Sequence, residues 1–259
     1  MGISISNNFN SSETIKNLYK DYVFQPPQVN ISMEKEHNHF KIRSINGKLI
    51  SCFLYKPHFY KSNKIIIWSH GNAMNCYQLR EYYEYLCNVF NVNVLAYDYQ
   101  GYGYSEGVCS EKNCYEDLTS VIEYVKEVYI EKNIYLIGQS LGTGVIIDYV
   151  SHNDWKNKIM LISPYTSIIN VVSRHIASYA GSIDMFNSIN KINKVKCPVQ
   201  IIHGENDDII NVSNGKKLYE ALPVKTLKPV WINNCDHENI LNKMYELEDT
   251  QMIFKNFFV

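Results

Sequence analysis

The fold of this chain is decided by the stretch Ile134-Tyr135-Leu136-Ile137-Gly138-Gln139-Ser140-Leu141-Gly142, an apolar run that leads into a glycine-flanked serine. The apolar run predicts a buried strand, and the residues from Leu141 to about Val150 predict a helix. Small residues on either side of Ser140 permit the sharp strand-to-helix turn that exposes a central hydroxyl. The N–H groups that open the helix would then point at that hydroxyl. The pattern therefore predicts Ser140 as a nucleophile.

A serine hydroxyl is a weak nucleophile unless a general base takes its proton and a carboxylate orients that base. Two later apolar segments, 197–202 and 230–232, each lead into a loop that carries one of these groups. The first loop holds Asp207 and the second holds His237. Where a nucleophile sits on this kind of turn, the residues follow in the order Ser, Asp or Glu, His. We therefore predict Asp207 as the acid and His237 as the base.

Other residues in these loops leave alternatives open. Asp208 could replace Asp207, because adjacent acids differ in loop geometry and not in chemistry. A lone Asp after a strand is commonly a turn residue, and a lone His in a loop is commonly solvated or a satisfied hydrogen bonder. On that basis His203 is assigned to its own turn, His70 to a structural role and His175 to the surface.

The turn His70-Gly71-Asn72-Ala73 follows a buried strand predicted over residues 64–69. In folds with a nucleophile turn, the loop after this strand supplies one backbone N–H to the oxyanion, and the residue after the nucleophile supplies another. We therefore predict the backbone N–H groups of Asn72 and Leu141 as the oxyanion donors. The alternative is a simple turn, which the composition of the tetrapeptide also satisfies.

Apolar segments and helical segments alternate along the chain. Asn46-Gly47 joins strands at 39–45 and 48–55 into an antiparallel hairpin that begins the sheet. Further strands are predicted near 64–69, 92–97, 134–137, 158–162, 198–203 and 226–232, and helices near 75–90, 113–129, 141–151, 213–222 and 238–256. Such alternation predicts an α/β fold with a mostly parallel central sheet and helices on both faces. Ligands bind at the carboxyl ends of such strands, where all three triad candidates lie.

The stretch 164–196 is longer than a simple crossover between strands requires, and it is predicted to be a small cap insertion over the active site. It carries apolar residues that would line an acyl pocket: Tyr165, Ile168, Ile169, Val171, Val172, Ile176 and Tyr179. The alternative is a helix packed on the body of the domain with no ligand contact.

Composition limits the class of protein. With 259 residues, 46% of them hydrophobic, the chain can bury one large core. The net charge of -1 and the lack of a basic run with interleaved aromatics argue against nucleic acid as a partner. Seven cysteines at irregular spacing, with no Cys-x-x-Cys, predict reduced thiols in a cytosolic protein and no metal site. No cofactor is predicted, and no segment has transmembrane length or the pattern of a secretory signal.

Several strings resemble one known family over most of the chain from about residue 24 onward. They are Ser69-His70-Gly71-Asn72-Ala73, Tyr97-Asp98-Tyr99-Gln100-Gly101-Tyr102-Gly103, Ser110-Glu111-Lys112-Asn113, Gly138-Gln139-Ser140-Leu141-Gly142-Thr143-Gly144, Ser163-Pro164-Tyr165-Thr166-Ser167, His203-Gly204, His237 and Phe24-Gln25-Pro26-Pro27. With these strings the chain resembles the α/β-hydrolase-domain serine hydrolases, in the group of protein depalmitoylases around domain-containing protein seventeen. The resemblance implies an α/β-hydrolase domain over 25–259 and a palmitoyl-protein thioesterase that acts on S-acylated membrane proteins.

The start of the chain departs from that family. Those depalmitoylases begin with an acylated cysteine cluster, whereas the first cysteine here is Cys52. In its place Met1-Gly2-Ile3-Ser4-Ile5-Ser6 fits the N-myristoylation pattern, with Gly2 as the acceptor. An apolar stripe at helical spacing over 15–23 would lie on lipid or cover the body of the domain. We therefore predict 1–24 as a membrane-targeting arm, and the protein as cytoplasmic and peripheral on the cytosolic face of membranes. The alternative is a plain disordered start.

The predicted chemistry is acyl transfer through a covalent intermediate, in which Ser140 attacks a thioester and water activated by His237 releases the fatty acid. Three other functions remain open. A lysophospholipase or monoacylglycerol lipase would use the same triad on the oxygen ester of a lipid. A general carboxylesterase would prefer short acyl chains. A non-catalytic, membrane-tethered binding module is a different class, and a complete triad argues against it.

Overall fold

The computed structural model describes residues 23–29, 37–171 and 184–258. The predictions on Gly2, on the apolar stripe before residue 23, and on cap positions 172–183 with His175 among them concern residues outside these ranges. Within the described ranges, no helix is both long enough and apolar enough to cross a membrane.

In the described residues, strands form one sheet with the order β1-β2-β4-β3-β5-β6-β7-β8. The strands are β1 (His39–Arg43), β2 (Leu49–Tyr55), β3 (Ile65–Ser69), β4 (Asn93–Tyr97), β5 (Ile134–Gln139), β6 (Ile159–Ile162), β7 (Val199–Gly204) and β8 (Val230–Ile232). β1 and β2 form the predicted antiparallel hairpin, β2 pairs antiparallel with β4, and the other neighbours pair in parallel. The chain leaves β3 toward β4 on one side and reaches β5 on the other. This arrangement places a topological switch point at the carboxyl ends of β3 and β5.

Helices cover both faces of the sheet. Those in the described residues are α1 (Arg80–Phe90), α2 (Glu111–Lys126), α3 (Leu141–His152), α4 (Ile189–Ile192), α5 (Ser213–Ala221), α6 (Ile240–Glu246) and α7 (Glu248–Phe257), with 3-10 turns at Cys76–Leu79, Glu131–Asn133 and Ile168–Asn170. One apolar cluster joins the sheet to α2, α3 and α5, and a second joins it to α1, α6 and α7. Alternation along β3 explains the division, since Ile65 and Ile67 belong to the first cluster and Ile66 and Trp68 to the second. The predicted α/β fold is confirmed.

The last strand is shorter than predicted. The sequence pattern suggests a strand near 226–232, whereas β8 begins at Val230. Pro229 stands directly before it and has no N–H to donate to a neighbouring strand, so pairing stops at that position. The predicted ends of the other strands coincide with the observed ends or differ from them by one or two residues.

The C-terminal helix predicted near 238–256 is two helices, α6 and α7. Between them the backbone of Leu247 is extended, with φ -85° and ψ 122°, so the helical hydrogen-bond pattern is interrupted. Glu248 and Asp249 occupy the first turn of α7, where carboxylates are stabilised by the positive end of the helix dipole. This acidic pair is the sequence signal for a new helix start.

The described part of the N-terminal segment belongs to the body of the domain. Val23 and Phe24 are 5% and 6% exposed and lie in the same apolar cluster as α2 and α3. The predicted boundary between residues 24 and 25 therefore falls inside a packed segment. All seven cysteines are buried and free.

Candidate active site

Ser140 lies at the junction of β5 and α3 with φ 49° and ψ -115°, a conformation that is costly for a residue with a side chain. The backbone around it is packed too closely for anything but glycine on either side. A Cβ on Gly138 would lie 2.6 Å from the carbonyl oxygen of Gly142, and a Cβ on Gly142 would overlap the carbonyl oxygen of Ser69. The Gly-x-Ser-x-Gly string is therefore required by the strand-to-helix turn, which places Ser140 at the carboxyl end of the sheet.

His237 lies in the loop after β8 and contacts both of the other triad candidates. Its Nε2 is 3.1 Å from Ser140 Oγ, and its Nδ1 is 2.8 Å from Asp207 Oδ2. Since an ionised carboxylate only accepts hydrogen bonds, Nδ1 is assigned as the donor to Asp207, and Nε2 is left to accept the proton of Ser140. The structure thus brings the three predicted residues together in the geometry that nucleophilic catalysis requires.

Asp207 is buried in the loop after β7, and both of its oxygens have partners. Oδ1 accepts the backbone N–H groups of Ile209 and Ile210 at 3.1 and 2.6 Å. Oδ2 is 2.8 Å from His237 Nδ1 and 3.3 Å from His203 Nε2. Burial alone would raise the pKa of Asp207, but hydrogen bonds from His203 and His237 outweigh burial and hold the pKa below its ordinary value. Asp207 is therefore a carboxylate throughout the neutral pH range.

The structure separates the two adjacent acids and revises the interpretation of one histidine. Asp208 is exposed at the edge of the site, whereas Asp207 is 3% exposed and faces His237. His203, which the sequence assigns to its own turn, is buried, and its Nε2 donates to the carbonyl oxygen of Ile210 at 2.7 Å. His203 thereby ties the start of the loop to its end, around the carboxylate of Asp207. Because the two residues do not share a helix, their four-residue spacing in the sequence does not indicate this contact.

The loop His70-Gly71-Asn72-Ala73 lies beside the nucleophile. A Cβ on Gly71 would be 3.4 Å from Ser140 Cβ. Asn72 and Leu141 both line the cavity that contains Ser140. Both predicted oxyanion donors thus lie among the residues around the nucleophile, and their role as donors stays a prediction.

Two tyrosines from the segment after β4 support this loop. The Tyr99 hydroxyl donates to the carbonyl oxygen of His70 at 2.8 Å, and the Tyr102 hydroxyl donates to Asn72 Oδ1 at 2.5 Å. Both tyrosines are fully buried, and burial raises the pKa of each above its ordinary value. The loop is therefore held by neutral hydroxyl donors.

A buried cluster of His70, Cys76 and Asp98 lies next to the same loop, with polar atoms within 4.8 Å of one another. His70 Nδ1 donates to the carbonyl oxygen of Gly71 at 2.7 Å, and its Nε2 lies 3.6 Å from Asp98 Oδ1. Burial lowers the pKa of His70 to about 4, raises that of Asp98 to about 6, and raises that of Cys76 well above its ordinary value. A metal would require the thiolate of Cys76. We therefore interpret the cluster as structural support for the loop.

A cavity of about 450 Å³ contains Ser140 and His237. This volume lies within the range of about 300–1,000 Å³ that is usual for small-molecule sites. The lining is mostly apolar and consists of Val23, Gln25, Asn72, Ala73, Ser140, Leu141, Tyr165, Ile168, Val171, Asp208, Ile209, Ile210 and His237. Tyr165, Ile168 and Val171 belong to the predicted cap insertion. The described part of that insertion therefore borders the cavity.

Sequence reasoning misses part of the site. It places residues 23–25 at a domain boundary, although Val23 and Gln25 line the cavity. It also assigns no role to Tyr102, which is hydrogen bonded to Asn72. These contacts join residues that are 30 to 77 positions apart in the chain, so no local pattern indicates them.

Comparison with known proteins gives the family of the chain. Residues 60–186 match the family described as serine aminopeptidase, S33. The chain is 38% identical over 248 residues to an alpha/beta hydrolase of Acanthamoeba polyphaga mimivirus, which covers 91% of this chain and 92% of that protein. It is 35% identical over 205 residues to Alpha/beta hydrolase domain-containing protein 17C of Xenopus tropicalis, which covers 78% of this chain and 64% of the relative.

Among solved structures, an esterase of Pyrococcus furiosus superposes with a TM-score of 0.72 at 23% identity, covering 91% of this chain and 98% of that one. That likeness shows the fold. The relatives at 35% and 38% identity show more, because they place the chain in the α/β-hydrolase family. Within that family it is similar to the domain-containing protein 17 group, as the resemblance predicts, and it spans less than two thirds of the length of the 17C relative.

Proposed function

We propose that this serine hydrolase is a palmitoyl-protein thioesterase that acts through Ser140, His237 and Asp207. The observation that carries the proposal is the position of the hydrogen-bonded residues Ser140 and His237 within a mostly apolar cavity of about 450 Å³. A nucleophile in such a cavity suits an ester or thioester whose acyl group is apolar. The family resemblance favours the thioester of a protein cysteine over the oxygen ester of a lipid.

In the proposed mechanism, His237 Nε2 takes the proton while Ser140 Oγ forms a bond to the thioester carbonyl carbon. The C–S bond then breaks, and the imidazolium protonates the departing cysteine sulfur. Asp207, which is ionised and bonded to Nδ1, holds the ring in place and stabilises its positive charge. Water activated by His237 hydrolyses the acyl-enzyme and releases the fatty acid. The backbone N–H groups of Asn72 and Leu141 are proposed to bind the oxyanion in both steps.

We further propose that the protein works at the cytosolic face of membranes, where S-acylated proteins are found. Met1-Gly2-Ile3-Ser4-Ile5-Ser6 supports N-myristoylation at Gly2, which by itself gives only marginal membrane binding. Incorporation of a myristate analogue into the wild type, but not into Gly2→Ala, tests the acceptor. Equal incorporation into both proteins would contradict the proposal on Gly2.

The substrate class is tested with an S-palmitoyl peptide and its matched oxygen ester, supplied to the wild type and to Ser140→Ala. We expect preferential thioester turnover by the wild type and a loss of at least about 10³-fold in the variant. Ser151→Ala is the matched control, because Ser151 lies on α3 after Ser140 and outside the cavity lining.

Each other outcome selects another function. Preference for the oxygen ester would indicate a lipase of the monoacylglycerol or lysophospholipid type. Preference for short acyl chains on either ester would indicate a general carboxylesterase. No turnover of any ester by the wild type would contradict a catalytic role and favour a membrane-tethered binding module.

A further inference from the structure

We propose that residues 23–25, which we call the N-terminal strap, position the oxyanion loop. The strap binds the side chain of Asn72 and so fixes where the backbone N–H of Asn72 points. Tyr102 completes the arrangement as a second positioning residue. The inference rests on the proposed function only in that it requires Ser140 to act as a nucleophile, whatever the acyl substrate.

The side chain of Asn72 is used on both of its polar atoms. Its Nδ2 donates to the carbonyl oxygen of Val23 at 2.8 Å. Its Oδ1 accepts the backbone N–H of Gln25 at 3.1 Å and the hydroxyl of Tyr102 at 2.5 Å. The N–H of Gln25 also lies 3.2 Å from the Tyr102 oxygen. Asn72 is therefore hydrogen bonded to the strap residues on both sides of Phe24. The Tyr102 hydroxyl adds a further link, because it contacts both the Gln25 N–H and Asn72 Oδ1.

The strap is a fixed point because it is packed on the body of the domain. Val23 and Phe24 are buried, and the Phe24 ring lies 6.1 Å from the Phe186 ring at an interplanar angle of 69°. Phe186 is fully buried, and its backbone N–H donates to Glu111 Oε1 at 2.7 Å. After the strap, Pro26 restricts Gln25 to extended backbone, which limits movement at the other end.

The loop needs such a fixed point. Gly71 gives it conformational freedom, and Ala73 is exposed with a φ of 55°. A backbone donor contributes about 10²- to 10³-fold to turnover only when it is aimed at the oxyanion. Geometry must be held to within about 0.5 Å for such a contribution. Buried Val23, Tyr102 and Tyr99 supply this restraint together with the backbone N–H of Gln25, whose side chain is exposed.

The test is Gln25→Pro, which removes the backbone N–H that Asn72 and Tyr102 accept. Extended backbone before Pro26 is compatible with proline at this position. Gln25→Ala reports the loss of the side chain alone, and Gln28→Pro places a proline at an exposed position outside the cavity lining. Tyr102→Phe is a second variant, which loses only the hydroxyl. Two readouts are measured: kcat and KM on a short p-nitrophenyl ester, and the rate at which a fluorophosphonate labels Ser140.

We expect Gln25→Pro to lower kcat and the labelling rate about 10- to 100-fold relative to Gln25→Ala, with KM changed less than about twofold. Tyr102→Phe should change the same two quantities in the same direction, and Gln28→Pro should match the wild type. Adding Gln25→Pro to Asn72→Ala should cost less than about twofold more, because both changes break one linked set of bonds.

Unchanged kcat in both Gln25→Pro and Tyr102→Phe would overturn the proposal. So would an effect confined to KM, or full additivity of Gln25→Pro with Asn72→Ala. A wild type that is labelled by the fluorophosphonate but leaves palmitoyl thioesters intact would contradict the proposed function. The effect of the strap on the labelling rate would still be measured in the same variants. A wild type that is not labelled would overturn both.

Discussion

Two buried carboxylates, Asp207 and Asp98, have opposite pKa shifts. Asp207 belongs to the acid–base side, the loops 203–210 and 235–239, where hydrogen bonds from two histidines outweigh burial and lower its pKa. Asp98 belongs to the oxyanion side, the segments 70–76 and 97–103, where burial outweighs the N–H of Cys76 and raises its pKa to about 6. The surroundings of Asp207 therefore favour its charged form, whereas the burial of Asp98 disfavours its charged form.

The difference follows from what each side does in the proposed reaction. The acid–base side must carry a positive imidazolium, so a nearby negative charge stabilises the transition state. The oxyanion side must receive a negative charge, which its backbone N–H groups and hydroxyls would stabilise beside an uncharged His70. Asp98 on this side has a pKa of about 6, so it is mostly ionised at neutral pH, and its burial makes that charge unfavourable. Variants that change one side at a time separate these two roles.

The largest effect is expected for Asp207→Asn. The amide cannot stabilise the imidazolium, and it presents either a donor or a neutral oxygen to Nδ1, so kcat should fall by roughly 10³- to 10⁴-fold. Asp208→Asn is the matched control, since Asp208 is exposed and contributes only to the edge of the cavity. Steady-state kinetics on one acyl ester measures both, and a larger loss in Asp208→Asn would reassign the acid.

This pair of variants also shows what the sequence alone can predict. Ser140, Asp207 and His237 are found because each follows a strand in a recognisable local pattern, and the parallel sheet brings the ends of those strands together. The choice between Asp207 and Asp208 requires the turn of the loop, which directs only one side chain inward.

What the sequence could not provide are contacts made by side chains from distant segments. Asn72 appears in the pattern as a residue of a turn, but its partners Val23 and Gln25 lie 49 and 47 positions away. His203 is assigned to its own turn because a lone loop histidine is commonly a satisfied hydrogen bonder, whereas its burial beside Asp207 decides its role. The start of β8 after Pro229, by contrast, could have been predicted from the sequence, because proline has no N–H to donate to a neighbouring strand.

On the oxyanion side, Asp98→Asn should make the free energy of unfolding depend on pH more steeply than it does in the wild type. His70, whose pKa falls from 6.5 to about 4 on folding, contributes stability above pH 6.5 that is lost as the pH falls to 4. Asp98, whose pKa rises from 3.8 to about 6, contributes in the opposite sense over nearly the same window. The two changes offset each other in the wild type. Without Asp98 the free energy of unfolding should fall by up to about 3 kcal/mol between pH 6.5 and 4.

Urea unfolding at several pH values measures this slope. The double variant Asp98→Asn with His70→Gln is the control, because it removes both titrations and should lose the added slope while keeping a similar fold. If Asp98→Asn has the same pH dependence as the wild type, then His70 does not titrate as its burial implies, and the contrast between the two sides fails.

A smaller effect is expected for His203→Ala on the acid–base side. The change removes the donor to the carbonyl oxygen of Ile210 and the contact with Asp207 Oδ2. A hydrogen bond to a charged group contributes about 1.5–3 kcal/mol, so kcat should fall about 10- to 100-fold. His203→Gln keeps an amide donor and should recover part of that loss. Equal kcat in the wild type and His203→Ala would show that His237 and the loop backbone alone hold Asp207.

The smallest effect is expected for Glu111→Gln, which asks whether charge or burial holds the strap. Glu111 is partly exposed, lies 3.9 Å from Lys191 Nζ, and accepts the N–H of Phe186, against which Phe24 packs. Glutamine keeps an oxygen for that N–H and loses only the charge, so stability should change by less than about 1 kcal/mol and kcat by less than about twofold. Glu111→Ala removes the acceptor and should cost more in thermal unfolding. A fall in kcat for Glu111→Gln as large as that for Gln25→Pro would mean that the strap depends on charge, and that the oxyanion side is not held by burial.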